Sequence, residues 1–431
     1  MKKGNKNGFT LLELLAVIIV IALVALITTP IIINVINNAN RDTFKSSVEG
    51  MLRSVELHAS ENYMGDTYTV TKGSITSSTG EKVHTSGGKD ESGLIFMNND
   101  GDTSATIYNK TWCAKKGLED KQITITKYSV SSCKTNDSIP TLVKTIQDKN
   151  KNGNAEGLFT DDYNVIRYRG GNEEVKNYVT FNGETWRIIS LQSGSVKIIR
   201  ENSIGQYAFD FRNGTYRNKW DESILMNLLN AGYESGAYNS SLYWNGTSGS
   251  CYTNNSSTNP YGMAVIKTCN FSGVKLNDRA KSMIRENVMY NFGRVDSPSY
   301  TASQMYNIET NSAHSASNLP WFGDVMIMYA SDYGYAASSA CTKTLYDFAE
   351  DENCTKRNWL YTGKTEWTAT PYSYSEQDVI SIGSNGSIIG GTTLNYAASS
   401  LEVRPTIVLK DTVSVVGGTG TKQDPYQLTI I

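Results

Sequence analysis

The residues with the clearest chemical potential lie at the start of the chain: Gly8, Phe9 and Glu13. Glu13 is a carboxylate inside a run, residues 9–33, that is otherwise almost wholly apolar. An ionised group at bilayer depth costs on the order of 3 kcal/mol on insertion scales, so we expect it to have a partner. Cleavage between Gly8 and Phe9 would create an α-amino group that could pair with Glu13 of a neighbouring copy. These residues therefore predict a processed helix that associates with other copies.

The segment around these residues has the properties of a membrane-insertion signal. Residues 1–8 form a short polar leader that contains Lys2, Lys3 and Lys6. At about 1.5 Å per residue, the apolar run that follows can cross a hydrocarbon core of about 30 Å. The positive-inside rule keeps the leader in the cytoplasm and sends the rest of the chain outward.

This arrangement resembles the type III signal of type IV prepilins and pseudopilins: a basic leader ending in Gly8, then FTLLE at residues 9–13 and a long apolar helix. The resemblance implies that a prepilin peptidase cuts before Phe9 and methylates the new N-terminus. It also implies that Glu13 neutralises that amine on the adjacent subunit and sets its register, so other pilin subunits are the expected partners. Pro30 falls where these pilins often carry a helix-bending proline, and we assign it to assembly.

Two simpler interpretations of the N-terminus stay open. An ordinary secretory signal would end in a small-x-small cleavage site after the apolar run. This run instead ends in TTPIII at residues 28–33, which offers no good site of that kind. A plain membrane anchor is the other alternative, and it would need neither the Gly8–Phe9 junction nor Glu13.

Beyond Pro30, apolar residues recur at helical spacing opposite a largely charged face. We predict one bent helix over residues 9–64, with its first half in lipid and later in the core of a filament. Residues 65–138 contain short β-rich runs between turn-rich stretches and predict a small antiparallel domain, which is the pilin plan by resemblance. The apolar positions of the second half of the helix are Phe44, Val48, Met51, Leu52, Val55, Ala59 and Tyr63.

The six cysteines occur as three pairs that are close in sequence. An even count with local spacing predicts disulfides in an oxidising compartment. Free thiols remain an alternative, and so does zinc, although zinc sites usually have tighter Cys-x-x-Cys or Cys/His spacing. The predicted pairs are Cys113 with Cys133, Cys251 with Cys269, and Cys341 with Cys354.

Residues 139–157 are polar and predict a linker. Within this stretch Asp148, Asn150 and Asn152 match the start of an EF-hand loop and are candidate calcium ligands. The twelfth position of such a loop should be a bidentate Glu, but it is Phe159 here. We therefore predict no bound metal and no other cofactor.

Residues 158–431 predict a large extracellular domain of mixed strands and short helices. Asn182-Gly183 between two β-rich runs predicts a tight hairpin, and helices are expected at residues 223–230 and 278–291. Phrases such as WRII, SDYGYA and VRP resemble domains of uncharacterised Firmicutes surface proteins, and the last part of the chain resembles C-type-lectin-like domains. The predicted fold class is α+β, with a long hydrophobic helix on a small antiparallel sheet and a large mixed domain after it.

The sequence contains no Gly-x-Ser-x-Gly elbow, no His-Glu-x-x-His pair and no phosphate-binding loop. Of its three histidines, His314 alone falls in the large domain, and adjacent acids such as Asp161-Asp162 and residues 350–352 are usually solvated. We therefore predict that the protein is not an enzyme. Four tryptophans could stack on sugars, but we expect them in the core: Trp186, Trp220, Trp359 and Trp367.

The composition favours a folded surface protein, since 39% of the residues are hydrophobic, 19% are charged and the net charge is -2. That balance excludes a basic nucleic-acid binder. We expect a minor or display pilin, membrane-anchored with its C-terminus outside and later part of a cell-surface filament. Its large domain would serve adhesion to a glycan or another surface ligand. A pseudopilin of a type II-like secretion or DNA-uptake system is the alternative, and a membrane-tethered extracellular enzyme is the second alternative.

Overall fold

The chain forms two compact units, Met1–Thr135 and Asn136–Ile431, in a computed structural model. The residues that the structure describes are 10–61, 67–77, 80–85, 88–97, 101–117, 120–129, 133, 140–151, 157–212, 215–234, 239–254, 263–311, 320–391 and 396–430. Within these ranges a long apolar helix is followed by several β-sheets and short helices. The predicted α+β class is therefore confirmed.

The first unit consists of one long helix and an antiparallel sheet. The sheet has seven strands among the described residues, in the order β3-β2-β1-β4-β5-β6-β7. The elements are α1 Leu11–Glu61, β1 Thr67–Thr71, β2 Ser74–Ser77, β3 Lys82–Val83, β4 Ser92–Met97, β5 Thr103–Tyr108, β6 Trp112–Lys116 and β7 Thr124–Lys127.

The C-terminal half of α1 packs on this sheet through the apolar stripe that the helical spacing predicts. Val48, Met51 and Val55 are completely buried, beside sheet residues such as Ile95 and Ile107. Burying a side chain of this size contributes roughly 1.5–3 kcal/mol, so the stripe fixes which face of the helix meets the sheet. The predicted helix ends, residues 9 and 62–64, lie outside the described residues.

The second unit contains α2 to α7 and β8 to β25. Its elements are α2 Leu142–Lys151, β8 Leu158–Thr160, β9 Ile166–Tyr168, β10 Tyr178–Phe181, β11 Glu184–Gln192, β12 Ser195–Arg200, β13 Gln206–Ala208, α3 Ile224–Leu229, α4 Leu242–Asn245, β14 Ser248–Thr253, β15 Val265–Asn270, α5 Asp278–Met283, β16 Val288–Tyr290, α6 Ala302–Thr310, β17 Trp321–Gly323, β18 Val325–Ile327, α7 Ala330–Ala336, β19 Glu366–Pro371, β20 Val379–Ile382, β21 Ile388–Ile389, β22 Ser400–Glu402, β23 Pro405–Leu409, β24 Val413–Gly417 and β25 Tyr426–Ile430. Short 3-10 helices lie at Trp220–Glu222, Ser272–Val274 and Leu345–Glu350.

Two large sheets organise the second unit. In the first, the path β18-β23-β12-β11-β10-β25-β24 is extended by β9, which pairs with β11, and by β8, which pairs with β9. The second has the order β15-β14-β13-β22-β19-β20-β21. Most neighbouring strands are antiparallel. However, β10 pairs in parallel with β25, which lies far from it in sequence. β25 is therefore part of the same sheet as the β10–β11 hairpin.

The predicted Asn182-Gly183 hairpin is present between β10 and β11, in which Phe181 pairs with Glu184. Both turn residues have positive φ, 58° at Asn182 and 74° at Gly183. Asparagine and glycine tolerate this conformation, and its twist matches that of the flanking strands. The sequence signal was sufficient here because the turn is local.

The predicted linker is wrong over much of its length, because part of residues 139–157 forms α2 in the second unit. Leu142 and Ile146 are buried one helical turn apart in the main core of that unit. The backbone N–H of Val415 also donates to the carbonyl of Pro140 at 2.9 Å. Abundant Lys and Asn suggested a linker, but two apolar residues at i and i+4 are enough to dock a short helix.

The helix predicted over residues 278–291 is also wrong in its second half. Asn277 caps α5 by accepting from the backbone N–H of Ala280 at 2.8 Å, but the helix ends at Met283. Asn287 then has a φ of 53°, and Val288–Tyr290 form β16, which pairs with β17. Pairing with a distant segment outweighed the local helical pattern, as tertiary context often does.

Candidate functional site

Thr10 and Glu13 form a reciprocal cap at the N-terminal end of α1. The backbone N–H and the hydroxyl of Thr10 each donate to Glu13 Oε2 at 2.9 Å. In return, the backbone N–H of Glu13 donates to Thr10 Oγ1 at 3.3 Å. This is the geometry of a capping box, in which a hydroxyl and a carboxylate satisfy N–H groups that a helix start leaves unpaired. It holds the Glu13 carboxylate at the helix end.

The segment after Glu13 is an apolar helix that its own unit leaves uncovered. No charged residue occurs between Glu13 and Arg41. The large apolar side chains from Leu11 to Ile36 are 48–86% exposed. Among the described residues, α1 is the one helix long and apolar enough to cross a membrane. An exposed apolar surface of this extent needs lipid or neighbouring helices around it.

The polar residues near the middle of this segment are satisfied within the helix. The hydroxyls of Thr28 and Thr29 donate to the carbonyls of Val24 and Ala25 at 2.8 and 2.6 Å. Such bonds to the preceding turn allow threonine to lie in an apolar medium without an unpaired hydroxyl. Pro30 lies inside the helix, where its ring has no N–H to donate to the preceding turn.

Both predicted processing residues, Gly8 and Phe9, lie outside the described residues. The assembly residues Glu13 and Pro30 both lie on α1, Glu13 in the first turn and Pro30 seventeen residues (30 − 13) further on. At about 1.5 Å per residue, this separation corresponds to about 26 Å along the helix axis. The carboxylate and the proline therefore belong to different depths of the apolar segment.

The three predicted disulfides are present: Cys113–Cys133, Cys251–Cys269 and Cys341–Cys354. The first lies in the first unit, and the other two lie in the second. The second one links β14 to β15 within a hairpin, and the third closes a loop that contains the 3-10 helix Leu345–Glu350. No cysteine of the described residues is left free. This pattern fits an oxidising environment.

Two of the candidate calcium ligands, Asp148 and Asn150, lie on the helical backbone of α2, so they do not form an EF-hand loop. Asp148 pairs with Lys144 at 2.5 Å and with Lys151 at 3.0 Å, and these lysines lower its pKa. The side-chain amide of Asn150 donates to Thr160 Oγ1 at 2.9 Å. Asn152 lies outside the described residues, and the described residues contain no group of three metal-binding side chains of the His, Cys, Asp and Glu types.

A network of buried ion pairs lies inside the second unit. Arg167 Nε lies 2.6 Å from Asp161 Oδ2, and its Nη1 lies 3.3 Å from Asp332 Oδ1. Lys197 Nζ then meets the other oxygen of Asp332 at 2.5 Å. Burial opposes ionisation of Asp332, but the charges of Lys197 and Arg167 keep its pKa below the usual range. Asp161 is thus buried and paired, which corrects the expectation that Asp161 and Asp162 are simply solvated.

The sequence indicated only part of this network of buried ion pairs. Asp332 belongs to the SDYGYA phrase, which marked the segment but gave no partner. Its partners come from β9 and β12, more than a hundred residues away in sequence. The ion pairs border a cavity of about 720 Å³, which we call the Lys197 cavity. Its wall includes Tyr163, Gln192, Ser195, Lys197, Arg285, Tyr290 and Tyr306.

Glu309, at the end of α6, is a further buried acid, and the sequence did not single it out. It is completely buried, and the Thr370 hydroxyl donates to its Oε1 at 2.5 Å. The backbone N–H of Ser331 lies 3.3 Å from both carboxylate oxygens. Burial raises the pKa of Glu309 to about 7, against the lowering effect of these donors.

The remaining predicted residues have structural or surface positions. All four tryptophans expected in the core are buried, and the indole N–H groups of Trp359 and Trp367 donate to the carbonyls of Tyr168 and Tyr207. Glu350 and Glu352 are exposed and pair with Lys343 and Lys356. His314 lies outside the described residues. The VRP phrase places Arg404 in a buried pair with Glu366 at 2.6 Å, which is a structural role.

Comparison with known proteins identifies one region. Residues 3–29 match the family model described as the prokaryotic N-terminal methylation motif, a range that includes Gly8, Phe9 and Glu13. No curated protein and no solved structure matches the chain. The match supports a type IV pilin-like or pseudopilin-type subunit, which implies processing by a prepilin peptidase and assembly with other pilins in a membrane. The resemblance of the large domain to Firmicutes surface proteins receives no support from these comparisons.

Proposed function

We propose that this chain is a minor or display pilin: a subunit that enters a cell-surface filament through α1 and presents its second unit for adhesion. The observation that carries the proposal is the exposed apolar segment of α1, capped by Glu13, within the matched methylation motif. In a filament, the apolar segments of neighbouring subunits cover one another. The Glu13 carboxylate then meets the new amine at Phe9 of an adjacent copy.

A minor position in the filament is favoured by size. The second unit, Asn136–Ile431, is more than twice as long as the first. If every subunit carried such a unit, the units would compete for space around a dense filament. A few copies along the filament, or copies at its tip, avoid this crowding. The orientation follows from the same role, with the C-terminal unit outside the membrane.

A display role is favoured over catalysis by the state of the charged groups in the second unit. Asp161 and Asp332 are both engaged by Arg167, and Glu366 is engaged by Arg404. Catalytic acids and bases need a proton-transfer partner within reach of substrate, whereas these groups are held by one another. The two disulfides of the second unit suit a unit that must persist outside the cell.

The pseudopilin alternative shares every feature of α1 and differs in what the filament does. A pseudopilin would act within the envelope, and its loss would stop secretion or DNA uptake. The favoured display role requires that the second unit be accessible on long surface filaments.

The test is to express the full chain in a bacterium that has a prepilin peptidase and a pilus assembly system, and then to shear the cells. Antibodies against the second unit should label the sheared filaments under the electron microscope. Filaments without label, together with full-length chain in the membrane fraction, would contradict the display role. Loss of secretion or DNA uptake in a deletion strain that makes no such filaments would favour the pseudopilin.

A further inference from the structure

The Lys197 cavity has an excess of positive charge on its wall. Arg167, Lys197 and Arg285 line it, whereas Asp332 is the one carboxylate among the described lining residues. Asp161 and Asp332 engage Arg167 and Lys197, and one lining cation remains outside these ion pairs. The wall therefore suits a ligand with a single negative charge.

That remaining charge belongs to Arg285. Its guanidinium is anchored by a hydrogen bond from Nη1 to Ser195 Oγ, and within the described part of the chain no carboxylate forms an ion pair with it. Ser195 and Lys197 are two positions apart on β12, so they lie on the same face of the strand. The Arg285 and Lys197 cations are thereby directed to one side of the cavity. Lys197 is already shared with Asp332, and Arg285 is exposed.

Another part of the cavity wall is aromatic. The rings of Tyr163 and Tyr306 lie 4.9 Å apart, and Tyr163 is 39% exposed. The Tyr163 hydroxyl donates to the carbonyl of Ser303 at 3.2 Å, which holds the ring in place. Aromatic rings that are held by a polar tip offer flat apolar faces. Such a face can pack against the C–H side of a sugar ring.

Polar groups with unused bonding capacity complete the wall. The Tyr290 hydroxyl is buried and has no protein partner among the described residues. The amide of Gln192 donates to the Tyr306 hydroxyl at 2.9 Å, which leaves the amide oxygen of Gln192 as an acceptor. A buried hydroxyl without a partner costs free energy unless water or a ligand bonds to it. A ligand rich in hydroxyl groups would meet this requirement.

We propose that the Lys197 cavity binds an acidic saccharide, a sugar ring that carries one carboxylate. The carboxylate meets Arg285 and Lys197, the ring packs on Tyr163, and sugar hydroxyls reach Tyr290 and Gln192. The cavity volume of about 720 Å³ is within the range of small-ligand sites and fits two or three sugar rings better than a lone acid. A dianionic phosphate would find too few free cations. The biological setting of this inference rests on the proposed display function, but the chemistry of the cavity does not.

The experiment uses the full chain purified in detergent micelles, first on an array of acidic and neutral glycans. Calorimetry then compares trigalacturonate with galactotriose, which differ in their carboxylates, and 3′-sialyllactose with lactose, which differ by the whole acidic sugar. We expect binding of at least one acidic member and a preference of about tenfold or more over its neutral partner, since a charged hydrogen bond is worth this much. Polyphosphate serves as the comparison for a ligand that is merely anionic.

Two variants on exposed positions test the site without disturbing the buried charges. Arg285→Gln should weaken the acidic sugar about tenfold or more and leave the neutral sugar unchanged, whereas Tyr163→Ala should weaken both. Lys356→Gln removes a positive charge from a surface pair with Glu352 and should change neither affinity.

Three results would overturn the inference: no acidic glycan preferred over its neutral partner, binding that neither variant alters, or binding of polyphosphate alone. Filament labelling is measured separately, so a cavity without sugar affinity would leave the assembly proposal standing. A sugar-binding chain that is absent from filaments would refute the display role instead.

Discussion

Thr10 and Glu13 are joined by three hydrogen bonds at the start of α1, two of them to Glu13 Oε2 at 2.9 Å. The cap thus gives the carboxylate a fixed position at the end of an apolar segment. Its Oε1 takes no part in these bonds. The cap and the proposed pairing with a neighbouring subunit are therefore compatible, because each can use a different oxygen.

The first prediction concerns this carboxylate. Glu13→Leu should insert in the membrane as well as the wild type, since it removes a charge from an apolar helix, but its recovery in sheared filaments should fall by about tenfold or more. Thr10→Val is the matched control, because it removes the capping hydroxyl and keeps the carboxylate. Immunoblots of membrane and filament fractions measure both. Normal recovery of Glu13→Leu would refute the pairing role.

The second prediction concerns pH. The pKa of Glu309 is raised to about 7 in the folded state from an ordinary value of 4.5, so folding favours its protonated form. Its stabilising contribution is complete below about pH 4.5 and is lost as the pH rises through 7. At about 1.4 kcal/mol per pH unit, the wild type should lose about 3 kcal/mol between pH 4.5 and pH 8 relative to Glu309→Gln.

Denaturant titrations followed by tryptophan fluorescence at several pH values measure this difference. Asp332, whose pKa is lowered, contributes with the opposite sign but is present in both proteins and cancels. Glu352→Gln, on an exposed side chain, should follow the wild-type pH dependence. Parallel curves for the wild type and Glu309→Gln would show that Glu309 does not titrate in this range.

A third prediction compares buried and exposed charges. Arg167→Leu leaves Asp161 uncompensated in the interior, so it should lower the free energy of unfolding by about 3–5 kcal/mol. Lys356→Leu breaks an ion pair on the surface and should change it by less than about 1 kcal/mol. Chemical denaturation of both variants provides the measurement. Equal effects would mean that the buried pair is not a structural element.

The fourth prediction concerns the disulfide Cys341–Cys354, which encloses a short loop that contributes Leu345 and Phe348 to the core. Replacing both cysteines with serine should lower the free energy of unfolding by about 3 kcal/mol, by the chain-entropy estimate for loops of this length. Peptide mapping without reduction should recover this pair and the other two from the wild type, with no reactive thiol in the described part of the chain. Alternative pairings in the map would contradict the structure.

The sequence predicted those parts of the fold that depend on local signals. The apolar stripe of α1 and the Asn182-Gly183 hairpin each follow from the spacing of neighbouring residues, as does the association of cysteines that are close in the chain. The predictions failed where distant segments decide the outcome. Val288 joins a strand because its partner lies at Gly323, and no local pattern indicates that pairing.

The buried charges were beyond sequence reasoning for the same physical reason. Asp161 and Asp332 look like ordinary surface acids. Arg167 reaches Asp161 within one hairpin, but Asp332 is engaged by Arg167 and Lys197, which are more than a hundred residues away in sequence. Glu309 gave no signal because its donors come from α7 and β19. At the N-terminus the reverse was true, because the signal that a peptidase reads is itself a short stretch of sequence.

The most direct test of the account is the N-terminal mass of the mature protein from cells that express the matching peptidase. The mature chain should begin at Phe9, with one added methyl group on its α-amino nitrogen. Gly8→Val should block this processing and retain the leader. A mature wild-type chain that begins at Met1, or beyond residue 30, would contradict the account and leave a plain anchor or an ordinary secreted protein.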